Sequence, residues 1–350
     1  MQTLARRAPS WRRRAPRLYP EELLALVLFV VTFAVNVAVH HTLNARILTE
    51  TVHTYLTLFR GQFEFFFKTL AGCALVYGAW QLLRLVAGRP IDLVAWRRTG
   101  KLVPALRGLL IYALCCVAFE NLQNFIHILS PIDRDDWLIA ADRALFLGHD
   151  PLKLLDPLVS YYPLEFFIQV YISYFFVPFV VLIVFLHGGK LRAFRETILS
   201  LVLALVIGYP GYLLLPAIGP QYTLQYEFRN PALNVDNLLT EGIDSLPRDC
   251  FPSLHTAVSV VALILIWRHS ASRLYRGAAT LWLLGIVFST VYLRIHYVSD
   301  ALAGTALAVL ATHLGPRVDA RYRDDFCGAF AANTLTGRIG PRSSMSDDQD

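Results

Sequence analysis

Residues 250–269 read CFPSLHTAVSVVALILIWRH, and residues 291–300 read VYLRIHYVSD. Each stretch places a histidine beside an apolar run whose length approaches that of a membrane-spanning helix. His255 opens one such run, and His296 separates two others. The two stretches therefore predict membrane helices with ionisable side chains at their ends, where a site at the membrane surface can form.

The rest of the chain is similarly apolar. Of its 350 residues, 55% are hydrophobic and 17% are charged, whereas a soluble domain carries about 25% charged residues. The apolar residues form runs of spanning length at 21–43, 65–87, 103–129, 163–187, 196–215, 253–268, 277–295 and 297–315. This pattern predicts an all-α, polytopic membrane protein with about eight transmembrane helices.

The distribution of charge predicts the orientation of these helices. The net charge is +6, and basic residues cluster in short segments between the apolar runs. With eight spans, five basic segments fall on one side of the membrane, at 1–20, 88–102, 188–195, 269–276 and 316–350. The positive-inside rule makes that side cytoplasmic, so both termini are expected there. Topology thus explains the charge, and no nucleic-acid partner is expected.

Residues 130–162, on the opposite side, have the pattern of a surface helix. Apolar side chains alternate at helical spacing with charged ones, among them Asp135, Asp136 and Asp142. This spacing predicts an amphipathic helix lying on the membrane surface. Gly148 and Pro151 are expected to end it, before a second short helix through 152–159.

The two histidines are expected on one face of the membrane. The sixth run enters from the non-cytoplasmic side and the seventh returns to it, so His255 and His296 reach the same face. His296 and Asp300 are four residues apart and share a helix face, so the carboxylate can accept a hydrogen bond from the imidazole. The other imidazole nitrogen then keeps the lone pair of a nucleophile. His255 is placed to protonate a leaving alkoxide as general acid.

Attack of His296 on phosphorus would form a phosphohistidine, whose phosphate oxygens need donors. Arg294 lies beside the histidine, and Ser253 precedes a helix whose first N–H groups favour anions. Plainer interpretations remain: a helix cap for His296 and Asp300, lipid contact for Arg294, and an N-cap for Ser253. A polar cluster in the third run fits either a head-group pocket or helix packing: Glu120, Asn121, Gln123, Asn124 and His127.

The motif pair Pro-Ser-x-His (252–255) and His-x-x-x-Asp (296–300) resembles the type 2 phosphatidic acid phosphatase superfamily. The resemblance implies that His296 is the nucleophile, Asp300 its orienting partner and His255 the general acid. It also implies a six-helix core over 103–315, with no metal and no cofactor. The five cysteines, which lack zinc-binding spacing, are expected to be free thiols.

With this core, the chain divides into a basic cytoplasmic arm (1–20), two additional N-terminal spans (21–102), the catalytic core (103–315) and a tail, mostly disordered (316–350). The core departs from the common family pattern. The family's first motif, a Lys followed by Arg-Pro, is absent, Thr290 stands where an arginine is usual, and Leu254 replaces a glycine. These departures leave the phosphate-holding arginine open among three candidates, first Arg294 and then Arg229 and Arg248.

Two features resemble the inositol phosphorylceramide synthase branch of the family. They are Pro-Ser-Leu-His (252–255) and Thr-x-Tyr-Leu (290–293). The stretches 216–222, which ends at Tyr222, and 142–148 also resemble that branch. This resemblance implies transfer of a phospho-head group, with a lipid phosphate or phospholipid as substrate and an acceptor lipid hydroxyl as second partner.

Three hypotheses follow from the sequence. The first is a membrane lipid phosphotransferase, and the second is a phosphatase of lipid phosphates or polyprenyl diphosphates. These two differ in whether the pocket excludes water from the phosphohistidine. The third is a non-enzymatic lipid transporter or scaffold. A transporter would place charges in mid-membrane on several spans, whereas the histidines here lie at span ends.

Overall fold

The computed structural model describes residues 18–43, 101–224, 227–229 and 248–319, together with scattered residues between 71 and 88. In these ranges the regular elements are helices, without strands. They are α1 Pro20–Leu43, α2 Leu102–Leu129, α3 Asp135–Leu145, α4 Pro151–Leu155, α5 Tyr161–Ile172, α6 Val177–His187, α7 Leu191–Leu214, α8 Pro220–Thr223, α9 Leu254–His269, α10 Arg273–Tyr292 and α11 Val298–Asp319. Short 3-10 turns, Asp156–Leu158 and Ser173–Phe176, follow α4 and α5.

The chain is an integral, multi-pass membrane protein. Six helical segments are long and apolar enough to cross a bilayer, namely α1, α2, the continuous stretch Tyr162–His187 formed by α5 and α6, α7, α10 and α11. The seventh apolar helix, α9, has 16 residues and is about 24 Å long, which is shorter than the roughly 30 Å hydrocarbon core of a bilayer. The predicted span at 65–87 falls mostly outside the described residues, and the count of eight stays a prediction.

The start of α7 differs from the predicted boundary. The sequence predicted a span from 196, because charged residues precede it, but the helix begins at Leu191. Arg195 is buried and pairs with Glu21 at 3.2 Å and Asp319 at 2.7 Å. Glu196 accepts hydrogen bonds from Arg268 and from His269. Because opposite charges neutralise one another there, the helix continues through them. We call the six paired residues the arginine cluster: Glu21, Arg195, Glu196, Arg268, His269 and Asp319.

Glycines bring the start of α9 into close contact with α7 and α11. A Cβ added at Gly304 would lie 2.3 Å from the Ser253 carbonyl oxygen, and one at Gly211 would lie 2.4 Å from Pro252 Cδ. Any larger side chain would therefore push these helices apart. The packing fixes the start of α9, which carries His255, beside the first turn of α11, which carries Asp300.

The helix predicted within 130–162 forms as α3, Asp135–Leu145, and its position on the membrane surface stays a prediction. Asp135, Leu138 and Asp142 face the protein interior, while Trp137 and Leu145 are exposed. The two aspartates are buried because they accept hydrogen bonds from backbone N–H groups of neighbouring loops. The helix thus presents a mixed apolar and acidic face to the protein, and both charged and apolar side chains, such as Asp136 and Trp137, are exposed.

Candidate active site

A chain of hydrogen bonds joins four side chains from three spans. Asp300 Oδ2 lies 2.5 Å from His296 Nδ1. His296 Nε2 lies 3.1 Å from His255 Nδ1, and His255 Nε2 lies 3.0 Å from the Tyr171 hydroxyl. Asp300 and His296 are 0% and 2% exposed. The structure thus brings together the three residues that the sequence predicted as catalytic and adds Tyr171.

One assignment of protons satisfies the whole chain when both imidazoles are neutral. The Asp300 carboxylate accepts from Nδ1–H of His296, so His296 Nε2 is an acceptor. His255 Nδ1–H then donates to that nitrogen, and the Tyr171 hydroxyl donates to His255 Nε2. The lone pair on His296 Nε2 therefore points at the Nδ1–H group of His255, which could act as a proton donor.

The carboxylate also sets the charge state of His296. Burial lowers the pKa of this imidazole, but attraction to the Asp300 carboxylate and their hydrogen bond outweigh it, with Asp249 adding to the effect. The pKa of His296 is raised as a result. Asp300 therefore orients the ring and stabilises the positive charge that a substituted imidazole carries.

Cys250 completes the surroundings of this dyad. Its thiol donates to Asp300 Oδ2 at 3.2 Å and lies 3.6 Å from His296 Nδ1. Burial, followed by the proximity of Asp300, raises the pKa of Cys250 well above its usual value. The side chain is therefore a neutral S–H donor, which helps to fix the carboxylate that holds His296.

The turn between α10 and α11 presents His296. The carbonyl of Thr290 accepts from the backbone N–H groups of both Ile295 and His296, each at 3.0 Å. Arg294 occupies the left-handed region at φ 62, which is uncommon for a side chain of this size. Its guanidinium is held by Asp156 at 2.5 Å and lies 3.9 Å from the ring centroid of Phe228.

Two carboxylates of α3 hold the loops on either side of this turn. Asp142 accepts from the backbone N–H groups of Val298 and Ser299, at 3.0 and 2.6 Å, and so caps the start of α11. Asp135 accepts from the backbone of Gly219 at 2.9 Å and from the Tyr297 hydroxyl at 2.9 Å. Because Asp142 occupies the first amides of α11, that helix end is not open to a phosphate.

The predicted phosphate-holding residues take up different positions. Ser253 is buried and caps α9 by accepting from Thr256 N, as the plainer interpretation expected. Arg248 pairs with Asp133 at 2.5 Å. Arg229 is exposed and donates its backbone N–H to Asp156 at 3.0 Å, and Tyr222 lies in α8, half-buried. Asp156 therefore binds both the guanidinium of Arg294 and the backbone of Arg229, and so links the two segments that carry them.

A cavity of about 300 Å³ opens beside His255. Its lining is mostly aromatic and aliphatic, contributed by α2, α5, α6, α7 and α9, and it includes Tyr171, Glu120 and Asp249. The polar cluster on α2 was expected either to line a head-group pocket or to pack between helices, and its members do both. Glu120 lines the cavity, whereas Asn121 packs between helices and accepts from Asn36 at 3.2 Å.

Cys250, His296 and Asp300 place donor atoms within 4.8 Å of one another, the arrangement among the described residues that could hold a metal ion. Tetrahedral zinc at ordinary bond lengths separates its ligand atoms by about 3.3 Å. His296 Nδ1 and Asp300 Oδ2 are 2.5 Å apart, which fits a hydrogen bond instead. The geometry therefore supports a proton-linked dyad.

A family model described as the PAP2 superfamily matches residues 136–314, just over half of the chain. The chain therefore belongs to the PAP2 superfamily, and it is a phosphatase or phosphotransferase that acts on lipid phosphates. The matched region contains Tyr171, His255, His296 and Asp300. No curated protein and no solved structure gives a significant match.

Sequence patterns did not single out Tyr171, Asp156 or Asp249. Tyr171 lies 84 positions from His255, and Asp156 lies 138 positions from Arg294. Helical or strand periodicity cannot connect residues that are so far apart in the chain. Asp249 directly precedes the motif stretch at 250–256, so an acidic residue beside the motif was the one signal available in the sequence.

Proposed function

We propose that this protein is a membrane lipid phosphotransferase that works through a phosphohistidine at His296. The observation that carries the proposal is the continuous hydrogen-bond chain from Asp300 through His296 to His255, buried and adjoining a cavity. One imidazole is oriented by a carboxylate and directs its lone pair toward a second imidazole. That arrangement places a nucleophile beside a group that can donate a proton.

Each half of the reaction balances with these groups. A substrate phosphate enters between the imidazoles and replaces their hydrogen bond, and His255 takes up a proton from solvent beside the negative charge of that phosphate. His296 Nε2 bonds to phosphorus as the bond from phosphorus to the leaving alcohol oxygen breaks, and that oxygen takes the proton of a protonated His255. The neutral His255 then removes the proton of an acceptor hydroxyl, whose oxygen bonds to phosphorus as the bond to Nε2 breaks.

Among the three candidate arginines, Arg248 is the one we propose to contact the phosphate. Its ion pair with Asp133 is partly exposed, 21% and 31% for the two side chains, and such pairs contribute about 0–1 kcal/mol. The buried pair of Arg294 with Asp156 would cost several kcal/mol to break. Arg294 then serves to hold the turn that presents His296, with Arg229, Ser253 and Tyr222 supporting neighbouring segments.

Transfer is favoured over hydrolysis by the character of the cavity. Its lining is mostly apolar and aromatic, and a site of that kind admits few ordered water molecules. A phosphohistidine there would persist until an acceptor alcohol attacks its phosphorus. The resemblance to the inositol phosphorylceramide synthase branch supports phospho-head-group transfer in the same way, with an acceptor lipid hydroxyl as the second substrate.

We further propose that the site faces the non-cytoplasmic side and that both termini are cytoplasmic. The arginine cluster and the basic segment 269–276 lie at the helix ends opposite the histidines, as the positive-inside rule requires. A reporter enzyme inserted in 269–276 tests this orientation. Cytoplasmic activity is expected, and activity on the other side would reverse the assignment.

The function is tested on the detergent-purified protein with phosphatidic acid, a polyprenyl diphosphate and phosphatidylinositol, each with and without a diacylglycerol or ceramide acceptor. We expect product formation that depends on the acceptor and is abolished in His296→Ala. His269→Ala, the same substitution in the arginine cluster, is the matched control. Acceptor-independent release of phosphate would identify a phosphatase. Equal rates for His296→Ala and wild type, or no turnover at all, would contradict the enzyme proposal.

A further inference from the structure

The cavity beside His255 contains two carboxyl groups, and its described lining includes no Lys or Arg. Glu120 and Asp249 both line it and are close enough to repel each other. Among the described lining residues, the basic side chain is the imidazole of His255. Gln123 donates a hydrogen bond to Asp249, which does not neutralise it.

Of the two acids, Asp249 lies outside the membrane-spanning helices, and its pKa reflects the unfavourable surroundings of the carboxylate. Burial raises the pKa of Asp249, although the nearby His296 opposes the effect. A buried carboxylate without a counter-charge is unfavourable. A bound cation would restore the charged form and remove the repulsion between the two acids. The cavity is therefore electrostatically complementary to a positive group.

Aromatic rings form much of the remaining lining. Tyr171 and Tyr174 stand against His255 with ring centroids 4.8 and 4.4 Å from its imidazole. Further rings lie around the cavity, from Tyr112, Phe119, Phe175, Tyr209 and Tyr212. Ring faces attract ammonium groups, and this attraction grows when the site is desolvated. Carboxylates together with aromatic faces favour an ammonium ion over a neutral polyol, because only the cation interacts with both.

The acids lie at one end of the cavity. On α2, Cys116 and Tyr112 are one and two turns from Glu120, about 6 and 12 Å deeper along the helix axis, and both line the same space. Asp249 adjoins Cys250, which contacts the catalytic dyad. A ligand whose positive group contacts the acids therefore keeps a neighbouring oxygen within reach of the histidines.

We propose that this cavity binds the ammonium group of an amino alcohol, either as the head group that stays bonded to the transferred phosphorus or as the alcohol that accepts it. The inference rests on the proposed function, since it names the head-group class for that same site. The amino alcohol has two sources, the head group of a zwitterionic phosphodiester lipid or a free amino alcohol that accepts the phosphoryl group.

Substrate charge distinguishes this class from others. A phosphomonoester brings about two negative charges to a site that already holds Asp300 and Asp249. A zwitterionic phosphodiester brings one negative charge at phosphorus and one positive charge toward the acids, so both ends are matched. During transfer, the glycerol oxygen of the lipid leaves phosphorus as His296 Nε2 bonds to it, and that oxygen takes the proton of a protonated His255. An acceptor hydroxyl then gives its proton to the neutral His255 as its oxygen bonds to phosphorus and the bond to Nε2 breaks. A free amino alcohol acts as acceptor in the same way.

Two measurements test the proposal on the full chain in a neutral maltoside detergent. The first is calorimetric binding of choline and ethanolamine against inositol, which does not depend on turnover. We expect the two cations to bind at least tenfold more tightly than inositol. Glu120→Gln and Asp249→Asn should each weaken cation binding by about fivefold or more. Glu165→Gln, the same change on an exposed position of α5, is the matched control.

The second measurement compares kcat/KM for lipids with identical acyl chains. Phosphatidylcholine and phosphatidylethanolamine are expected to exceed phosphatidylinositol and phosphatidylglycerol by about tenfold, and Glu120→Gln should reduce this ratio. Supplying phosphatidic acid with free ethanolamine distinguishes the acceptor source from the head-group source, because only a free acceptor then yields phosphoethanolamine, with diacylglycerol as the leaving alcohol.

The outcomes separate the inference from the function on which it rests. Preferential binding of inositol, or preferential turnover of polyol lipids, overturns the inference while the enzyme proposal stands. An equal loss for every lipid in both acid variants also overturns it, because that result shows a structural role. Glu120-dependent binding of choline without any His296-dependent turnover supports a cation site and contradicts the proposed function instead.

Discussion

Two groups of buried ionisable side chains lie at opposite ends of the same helices, and they are built from different pairs. At one end, in the arginine cluster, Arg195 bridges Glu21 and Asp319. At the other end, the carboxylate of Asp300 faces an imidazole and a thiol. α11 connects the two, with Asp300 in its first turn and Asp319 at its end.

The difference shows what distinguishes a site from a structural cluster in this fold. In the arginine cluster, fixed opposite charges join side chains of α1, α7, α9 and α11, so the pairs neutralise one another and hold the helices together. At the histidine end, the partners are weak acids and bases that can exchange protons, and a cavity adjoins them. Burial and polarity are common to both ends, whereas the cavity of about 300 Å³ lies beside the histidine end.

The largest expected effect separates two histidines of the same chain. His296→Ala removes the nucleophile, and we expect kcat/KM to fall by more than about 10³-fold. His269→Ala, in the arginine cluster, should change kcat/KM by less than about threefold. Steady-state assays of both variants in detergent measure the contrast. Similar losses in the two variants would show that turnover depends on helix packing and not on the imidazole of His296.

His255→Ala should come next, because it removes the proton donor and leaves the nucleophile. We expect kcat to fall by about 10²–10⁴-fold with a lipid substrate. The loss should be much smaller with p-nitrophenyl phosphate, whose leaving group needs no proton. A loss of the same size with both substrates would contradict the role of His255 as general acid and indicate that it positions His296.

Asp300→Asn tests the electrostatic part of the site through pH. The rate falls as pH drops through the pKa of His296, because protonation at Nε2 removes the attacking lone pair. The Asp300 carboxylate raises that pKa, so the neutral amide lowers it. We expect the acid limb of the profile to move to lower pH while the maximal rate drops by about 10²-fold. An acid limb that stays in place or moves to higher pH would contradict this role.

Asp142→Asn should have a smaller effect on turnover and a clear one on stability. This carboxylate caps α11 two residues before Asp300, and weakening the cap should cost about 1–3 kcal/mol of unfolding free energy. Asp136→Asn is the matched control, since Asp136 is exposed on the same helix. Thermal unfolding in detergent compares the two. Equal melting temperatures would remove Asp142 from the support of the site.

Arg195→Gln should give the smallest change in turnover per folded molecule. It leaves the buried carboxylates of Glu21 and Asp319 without their cation, and removal of one partner from such a pair costs about 3–5 kcal/mol. We therefore expect a large loss of thermal stability with kcat within about twofold of wild type. A variant that is stable but inactive would connect the arginine cluster to catalysis and break the comparison.

Much of the helical architecture could be predicted from the sequence, because long apolar runs in a bilayer have few alternatives to helix. The proximity of His255 and His296 also followed from the number of crossings between them. The start of α7 could not be predicted, since Arg195 looks like a loop residue until its partners from α1 and α11 are known.

The support of the site was less accessible from sequence. Asp135 and Asp142 have the spacing of a polar surface face, and only the arrangement of the distant loops at 218–219 and 298–299 explains their burial. Tyr171 and Asp156 likewise contact the site across long separations in the chain. Local periodicity shows that one face of a helix is more polar than the other. It does not show which distant residues pack against that face.

The most direct test of the account is to map the covalent intermediate. The purified protein is mixed with phosphate-labelled lipid in the absence of acceptor, quenched at alkaline pH within the first turnover, digested and analysed by mass spectrometry. The account predicts acid-labile phosphate on His296, absent in His296→Ala, which discharges when an acceptor alcohol is added. Label on another residue, or stoichiometric product formation in a single turnover with no labelled histidine, would contradict it.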